Sequence, residues 1–321
     1  MIQKRLYCLL AVVFCSAFAF SGPIAREDIP SNAQWIVHVD ADAFRTSELG
    51  TLLQQNIPEE HKVKIDAMTQ LLGTDITKDI HGITVFGFGP GEENATALFY
   101  GKFDKQKLLA LLALNESYSE SKYNDQSLYY WTDKKSGKKQ VGAFAADNLI
   151  VIGQQESNII VTLDVLSGII EPLSAKMDLP LYKMTTVPSK TIFLAAAQGM
   201  SDLIQDNEHA AVLKKSKNLA VTCSETDGDM TLNIHLEVLD EATAIQIEQI
   251  VRGMLAFAMI QQEGNPELAE LLTTVILTRE GTSLDLHIQY PSTKLYEIAK
   301  LHADTAVRFK MREPSDETTE P

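Results

Sequence analysis

His38-Val39-Asp40-Ala41-Asp42 is the segment whose residue types and spacing come nearest to a reactive site. Side chains alternate along an extended chain, so in a strand His38, Asp40 and Asp42 share one face. An imidazole and two carboxylates at a strand end are ligands suited to a divalent metal, and a bound metal could activate water for hydrolysis. A purely structural role is equally concrete. Asp42 would then cap a helical turn over residues 43–45, with His38 and Asp40 on the wet face of a sheet. A later strand carries Leu194, Ala196 and Gln198 at the corresponding positions, so the fold itself does not require the polar trio.

A second set lies further on. Asn233, His235 and Glu237 alternate along one strand, and Asp285, His287 and Gln289 along another. If those strands are neighbours, two histidines and two carboxylates converge; a solvated sheet face is the default. Residues 87–91 (GFGPG) resemble a phosphate loop but lack its Lys-Ser/Thr and lead into acids and a strand, so they read as a hairpin connection. Ser201 follows Gly199 as in a hydrolase elbow, but the second glycine is missing, and a helix cap is the simpler role. Tyr118, Tyr123, Tyr129, Tyr130 and Trp131 stand beside Lys134, Lys135, Lys138 and Lys139. The lysines bracket Ser136-Gly137, a hairpin tip, and the aromatics pack across strands. Cys223 is the single cysteine after residue 21 and reads as a half-buried strand thiol.

The elements that must position these groups follow from periodicity. Strands are predicted at 33–40, 80–88, 95–102, 128–132, 141–146, 149–153, 191–197, 217–224, 230–238, 275–279 and 283–290. Helices are predicted after Ser47, Pro58, Asp104, Gln155, Gly199, Asp240, Pro266 and Pro291, the fifth running over 200–213 and the last ending near His302. Asp147-Asn148 and Asp227-Gly228 are two-residue hairpin turns. The element order repeats, which predicts a duplicated α+β protein with halves at 22–167 and 190–303. Each half would be an antiparallel sheet with helices on one face and a polar opposite face. Residues 168–189 lose periodicity, hold three prolines and read as a linker; 304–321 read as a disordered acidic tail. The helix over 242–262 is apolar on most of its circumference after Val251. That places it in a core, with an apolar-ligand pocket or a subunit contact as the alternative, to which Met254 and Met259 would suit.

Composition limits the function classes. The chain has 321 residues, of which 45% are hydrophobic, and a formal net charge of −15. That is a globular composition and a poor partner for nucleic-acid phosphates. Residues 1–21 have the layout of a secretory signal peptide: Lys4 and Arg5, an uncharged apolar run over 6–20, and small residues at Ala17, Ala19 and Ser21. Cleavage is expected after Ala19 or Ser21. The apolar run is shorter than the roughly 20 residues of a spanning helix, so no membrane span is expected after cleavage, and the product is periplasmic or extracellular.

At AQWIVHVDADAFRTSELG, LLGTDITKDIHGITVFG and the YYWTDKK stretch, the chain resembles a family of exported bacterial proteins without assigned activity. That resemblance implies an exported bacterial α+β protein and transfers no catalytic residue. The reading is therefore an exported, non-enzymatic binding or scaffold protein with a protein or small-molecule partner and no cofactor. The alternatives are a divalent-metal hydrolase using His38, Asp40 and Asp42, and a carrier of an apolar ligand.

Overall fold

A computed structural model describes residues 22–203, 213–261 and 266–310. The signal-peptide reading, most of the helix over 200–213 and the tail after 310 lie outside these residues.

Twelve strands form one antiparallel sheet. The first seven are β1 (Trp35–Asp40), β2 (Ile80–Gly87), β3 (Ala95–Gly101), β4 (Ser119–Tyr123), β5 (Gln126–Thr132), β6 (Lys139–Ala146) and β7 (Leu149–Gly153). The other five are β8 (Thr191–Gln198), β9 (Ser216–Thr226), β10 (Asp229–Val238), β11 (Ile276–Glu280) and β12 (Ser283–Pro291). The protein is thus α+β and antiparallel, as expected. The two halves do not build separate sheets, however. β1 pairs with β8, Trp35 opposite Ala197 and Val39 opposite Phe193, and fuses them. An apolar strand such as β1 leaves no tolerable open edge, so both of its sides are paired. Outward from this junction one arm runs β1-β2-β3-β7-β6-β5-β4 and the other β8-β9-β10-β12-β11. Both arms share one plan, and the first adds β5 and β4 at its rim. β4 (SESKY) is polar and mostly exposed, so it carries no apolar alternation to announce it.

The helices start where their caps predict. After α1 (Ala41–Thr46), Ser47 accepts the Gly50 N–H at 2.9 Å and opens α2 (Glu48–Gln55). α3 (Glu59–Leu72) ends at Gly73, whose φ of 68° suits glycine. Asp104 caps α4 (Lys105–Leu112), and α5 (Glu156–Leu166) stops at Gly168. The predicted linker is part of the core. It holds α6 (Pro180–Met184), and its Leu173 and Leu181 are fully buried. The Leu173 N–H donates to the Ile29 carbonyl at 2.7 Å. Single wedged leucines in short turns give no period to read. In the second arm follow α7 (Met200–Leu203), α8 (Glu241–Gln261) capped by Asp240, α9 (Pro266–Thr273) and α10 (Ser292–Lys310). α10 runs past the predicted stop near His302, so residues 304–310 are helical rather than tail.

One face of the first arm makes the main core. Ile36, Phe86, Leu98, Val151 and Leu194 are buried there under Ile159 and Leu163 of α5 and Leu181 of α6. α4 lies on the other face, beside Tyr129, Trp131, Phe144 and Ile152. On that second face α4 covers only the β5–β7 end, and the side chains of β1, β2 and β3 beyond it are apolar and half-buried, so the expected polar face is absent from this arm.

Glu225, near the end of β9, ties the arms together. Its carboxylate accepts the Glu48 N–H and, at 3.1 Å, the Leu49 N–H at the start of α2, and the Ser292 hydroxyl at 2.6 Å. Burial raises its pKa, but these donors outweigh burial and hold the carboxyl below its ordinary value. Glu225→Ala should cost about 1–2 kcal/mol in urea titration, because it removes the acceptor of the Glu48 and Leu49 N–H groups and orphans the Ser292 hydroxyl.

Candidate functional site

The strand-end trio is structural. His38 is 2% exposed. Its Nε2 lies 2.7 Å from the Gly22 carbonyl, which can only accept, so Nε2 carries the proton. Nδ1 then accepts from the Thr84 hydroxyl at 2.9 Å. Burial, only partly offset by the Gly22 bond, pushes the imidazole pKa down to about 4. Asp40, not Asp42, is the helix cap: it accepts the Ala43 N–H at 2.8 Å. Burial raises its carboxyl pKa against that bond. The chain turns helical at Ala41, so Asp42 leaves the strand face and pairs with Arg45 and with His81 Nδ1 at 3.0 Å. Among the described residues, no three His, Cys, Asp or Glu side chains form a group able to hold a metal. The shared-face premise of the metal reading fails at this turn, and the hydrolase reading loses its geometry with it.

The second set does meet, because β10 and β12 are neighbours. His235 Nδ1 lies 2.7 Å from Asp285, and His287 Nδ1 lies 2.7 Å from Asn233. They meet as separate cross-strand pairs. His235 and Asp285 are 43% and 54% exposed, and this is the wet sheet face expected by default. Glu237 instead takes Asn218 at 2.7 Å. The other sequence candidates are structural too. Gly87 sits where a Cβ would fall 2.3 Å from the Trp35 indole, whose N–H donates to the Gly89 carbonyl at 3.0 Å. Tyr129 packs edge-on against Phe144, Tyr130 bonds Ser121, and Lys138 pairs with Glu92. Cys223 is half-buried, its thiol pKa raised by burial and by Glu225. Ser201 lies in α7.

The feature that the sequence reading missed is the sheet face opposite the main core. Cross-strand register builds rows along it. One row runs Tyr129, Gly142, Ile152, Ala97, Val85, Val37, Ala195, Val221, Ile234, Leu286, Leu277. The next runs Phe144, Ile150, Phe99, Ile83, Val39, Phe193, Cys223, Leu232, Ile288. No charged residue interrupts either row. α4 covers the β5–β7 end, and the first turns of α8 cover the β10–β12 end through Ala244 and Ile247. Between them the side chains of β3, β2, β1, β8 and β9 are only half-buried, and Val39 is 38% exposed. An apolar cavity of about 190 Å³ opens beneath α4, between Leu108, Leu112, Trp131 and Ile152. The signal was available in the alternation of Val37 and Val39, Ile83 and Val85, and Phe193 and Ala195.

α8 adds to this surface. Its buried residues are Thr243, Ala244 and Ile247, all in the first two turns. Ile250, Met254, Phe257 and Ile260 are exposed, so the helix is not the core element predicted. By length and composition it is long and apolar enough to cross a membrane.

No family model matches this chain, and no curated protein matches it. It is similar to solved structures of TP0453. Crystal form III is 8% identical with a TM-score of 0.45, covering 86% of this chain and 97% of that one. Crystal form I is 9% identical with a TM-score of 0.44, covering 85% and 95%.

Proposed function

We propose that this is an exported, non-enzymatic binding protein whose ligand is an elongated apolar molecule, of the size and chemistry of an acyl chain. The ligand would lie on the sheet between α4 and α8. The observation that carries this reading is the pair of uninterrupted apolar rows left half-buried between two helices. Covering such a surface removes about 25 cal/mol of unfavourable hydration per Å². The exposed methionine and aromatic side chains of α8 suit an adaptable apolar wall. The net charge of −15 supports a ligand without a strongly anionic surface. Export rests on the layout of residues 1–21.

The test is native mass spectrometry of the exported protein, followed by titration of the delipidated protein with a fluorescent long-chain fatty acid. Val39→Asp places a carboxylate in the middle of the rows at a site already 38% exposed. It should weaken binding about tenfold or more, while His235→Ala on the opposite face leaves it unchanged. Absence of saturable binding, or equal affinity in Val39→Asp, would overturn the reading.

A further inference from the structure

Gly22 and Asp40 meet in the interior. Gly22 is buried, and a Cβ on it would fall 1.9 Å from Asp40 Oδ1 and 2.8 Å from the His81 carbonyl. Its own carbonyl is held by His38 Nε2 at 2.7 Å. Bond lengths then place the Gly22 nitrogen within about 5 Å of that carboxylate oxygen. Asp40 is 2% exposed. Among the described residues its donors are backbone N–H groups, those of Ala43 at 2.8 Å and of Asp42, and no side chain forms an ion pair with it. The nearby Arg45 guanidinium is occupied by Asp42 and by the carbonyls of Thr77 and Ile80, at 3.2 and 2.7 Å. A buried carboxylate without a counter-charge is costly, and a single cation at this spot would relieve it.

The sequence offers two cleavage sites, after Ala19 and after Ser21. The geometry distinguishes them. We infer that processing occurs at the Ser21–Gly22 bond and that the α-ammonium so released on Gly22 forms a buried ion pair with the Asp40 carboxylate. The inference rests on the export reading above. A signal peptidase hydrolyses the bond with one water: the Ser21 carbonyl takes the hydroxyl, and the Gly22 nitrogen takes the proton and ionises. Cleavage after Ala19 would leave two residues ahead of Gly22 and carry the ammonium up to about 7 Å away. Glycine is the one residue that fits, since any Cβ would strike the carboxylate it must pair with. The mature start would become part of the fold.

The precursor is expressed with its own leader, and the exported protein is weighed intact. The expected mass is that of residues 22–321 with a free amine. A chain starting at Phe20 overturns the inference and leaves export standing; an uncleaved exported chain overturns the inference too, and a chain retained in the cytoplasm overturns both. Pairing is then tested by a cycle. One alanine inserted before Gly22, its presence checked by mass, should lower the thermal midpoint by roughly 5 °C. The same insertion in Asp40→Asn should change it little, because the uncharged amide needs no ammonium. Equal insertion effects in both backgrounds overturn the pairing. As a readout free of variants, an amine-reactive ester at neutral pH labels free α-amines ahead of lysines. It should label Gly22 in urea and spare it in the native protein; native labelling overturns the pairing.

Discussion

Phe86→Ala should lower the unfolding free energy by about 3–5 kcal/mol, the cost of deleting a fully buried aromatic side chain. Phe86 is 0% exposed, one residue before the end of β2. It belongs to the cluster of Ile36, Leu98 and Leu194, and its ring meets Phe88 edge-on with centroids 5.7 Å apart. Its strand is hydrogen-bonded on both sides, to β1 and β3, so the backbone cannot move in to fill the space. Phe99→Ala is the matched comparison. Phe99 lies on β3, opposite Ile83 and on the other sheet face, and is only half-buried. Its truncation should cost clearly less in the same urea titration, because much of that ring already touches water. Ligand affinity should show the reverse order, with Phe99→Ala the more damaging. Equal stability losses would mean that the second face is as tightly packed as the first.

The second large effect is acid lability. His38 has a pKa near 6.5 when unfolded and about 4 when folded, because burial disfavours its charged form. As pH falls below 6.5, the unfolded chain takes up a proton that the folded chain refuses. Stability from this source is intact above about pH 6.5 and is lost progressively down to about pH 4, by about 3 kcal/mol in all. Glu225, Glu248 and Glu270, whose carboxyls are depressed, lose their contribution only below the ordinary glutamate range. Asp28 and Asp40, both raised chiefly by burial, work the other way and gain as they protonate. The window between pH 6.5 and 5 therefore belongs mainly to His38. Urea midpoints measured across it should slope down in the wild type and stay nearly flat in His38→Gln. A parallel slope in both proteins would assign the lability elsewhere.

Most elements were legible because local chemistry announces them. Asp104 and Asp240 cap helices as read, and Asp227-Gly228, both at positive φ, turns the β9–β10 hairpin. What was not legible depends on distant partners. Nothing in residues 35–40 shows that β1 will take β8 as its second neighbour. That pairing turned two predicted sheets into one and aligned the apolar alternation of separate strands into rows. The candidate trio fails for a local reason: the strand stops at Asp40, two residues short of Asp42, and the chain is already helical at Ala41. The burial of Leu173 and Leu181 leaves no mark in the sequence, because single buried side chains in short turns have no period. α8 read as core because its composition is apolar, although packing reaches only its first turns.

The central β1/β8 pairing also sets an order of events during synthesis. Trp35 must wait for Ala197. At about 5–20 residues per second, β1 leaves the ribosome roughly ten to thirty seconds before its second neighbour exists. Throughout that interval the first arm has an apolar edge with unpaired N–H and C=O groups, a template for joining another nascent chain. Aggregation yield should therefore depend on anything that lengthens the interval, such as slow codons between residues 41 and 190. A holdase acting on the emerging chain would have to guard this one edge.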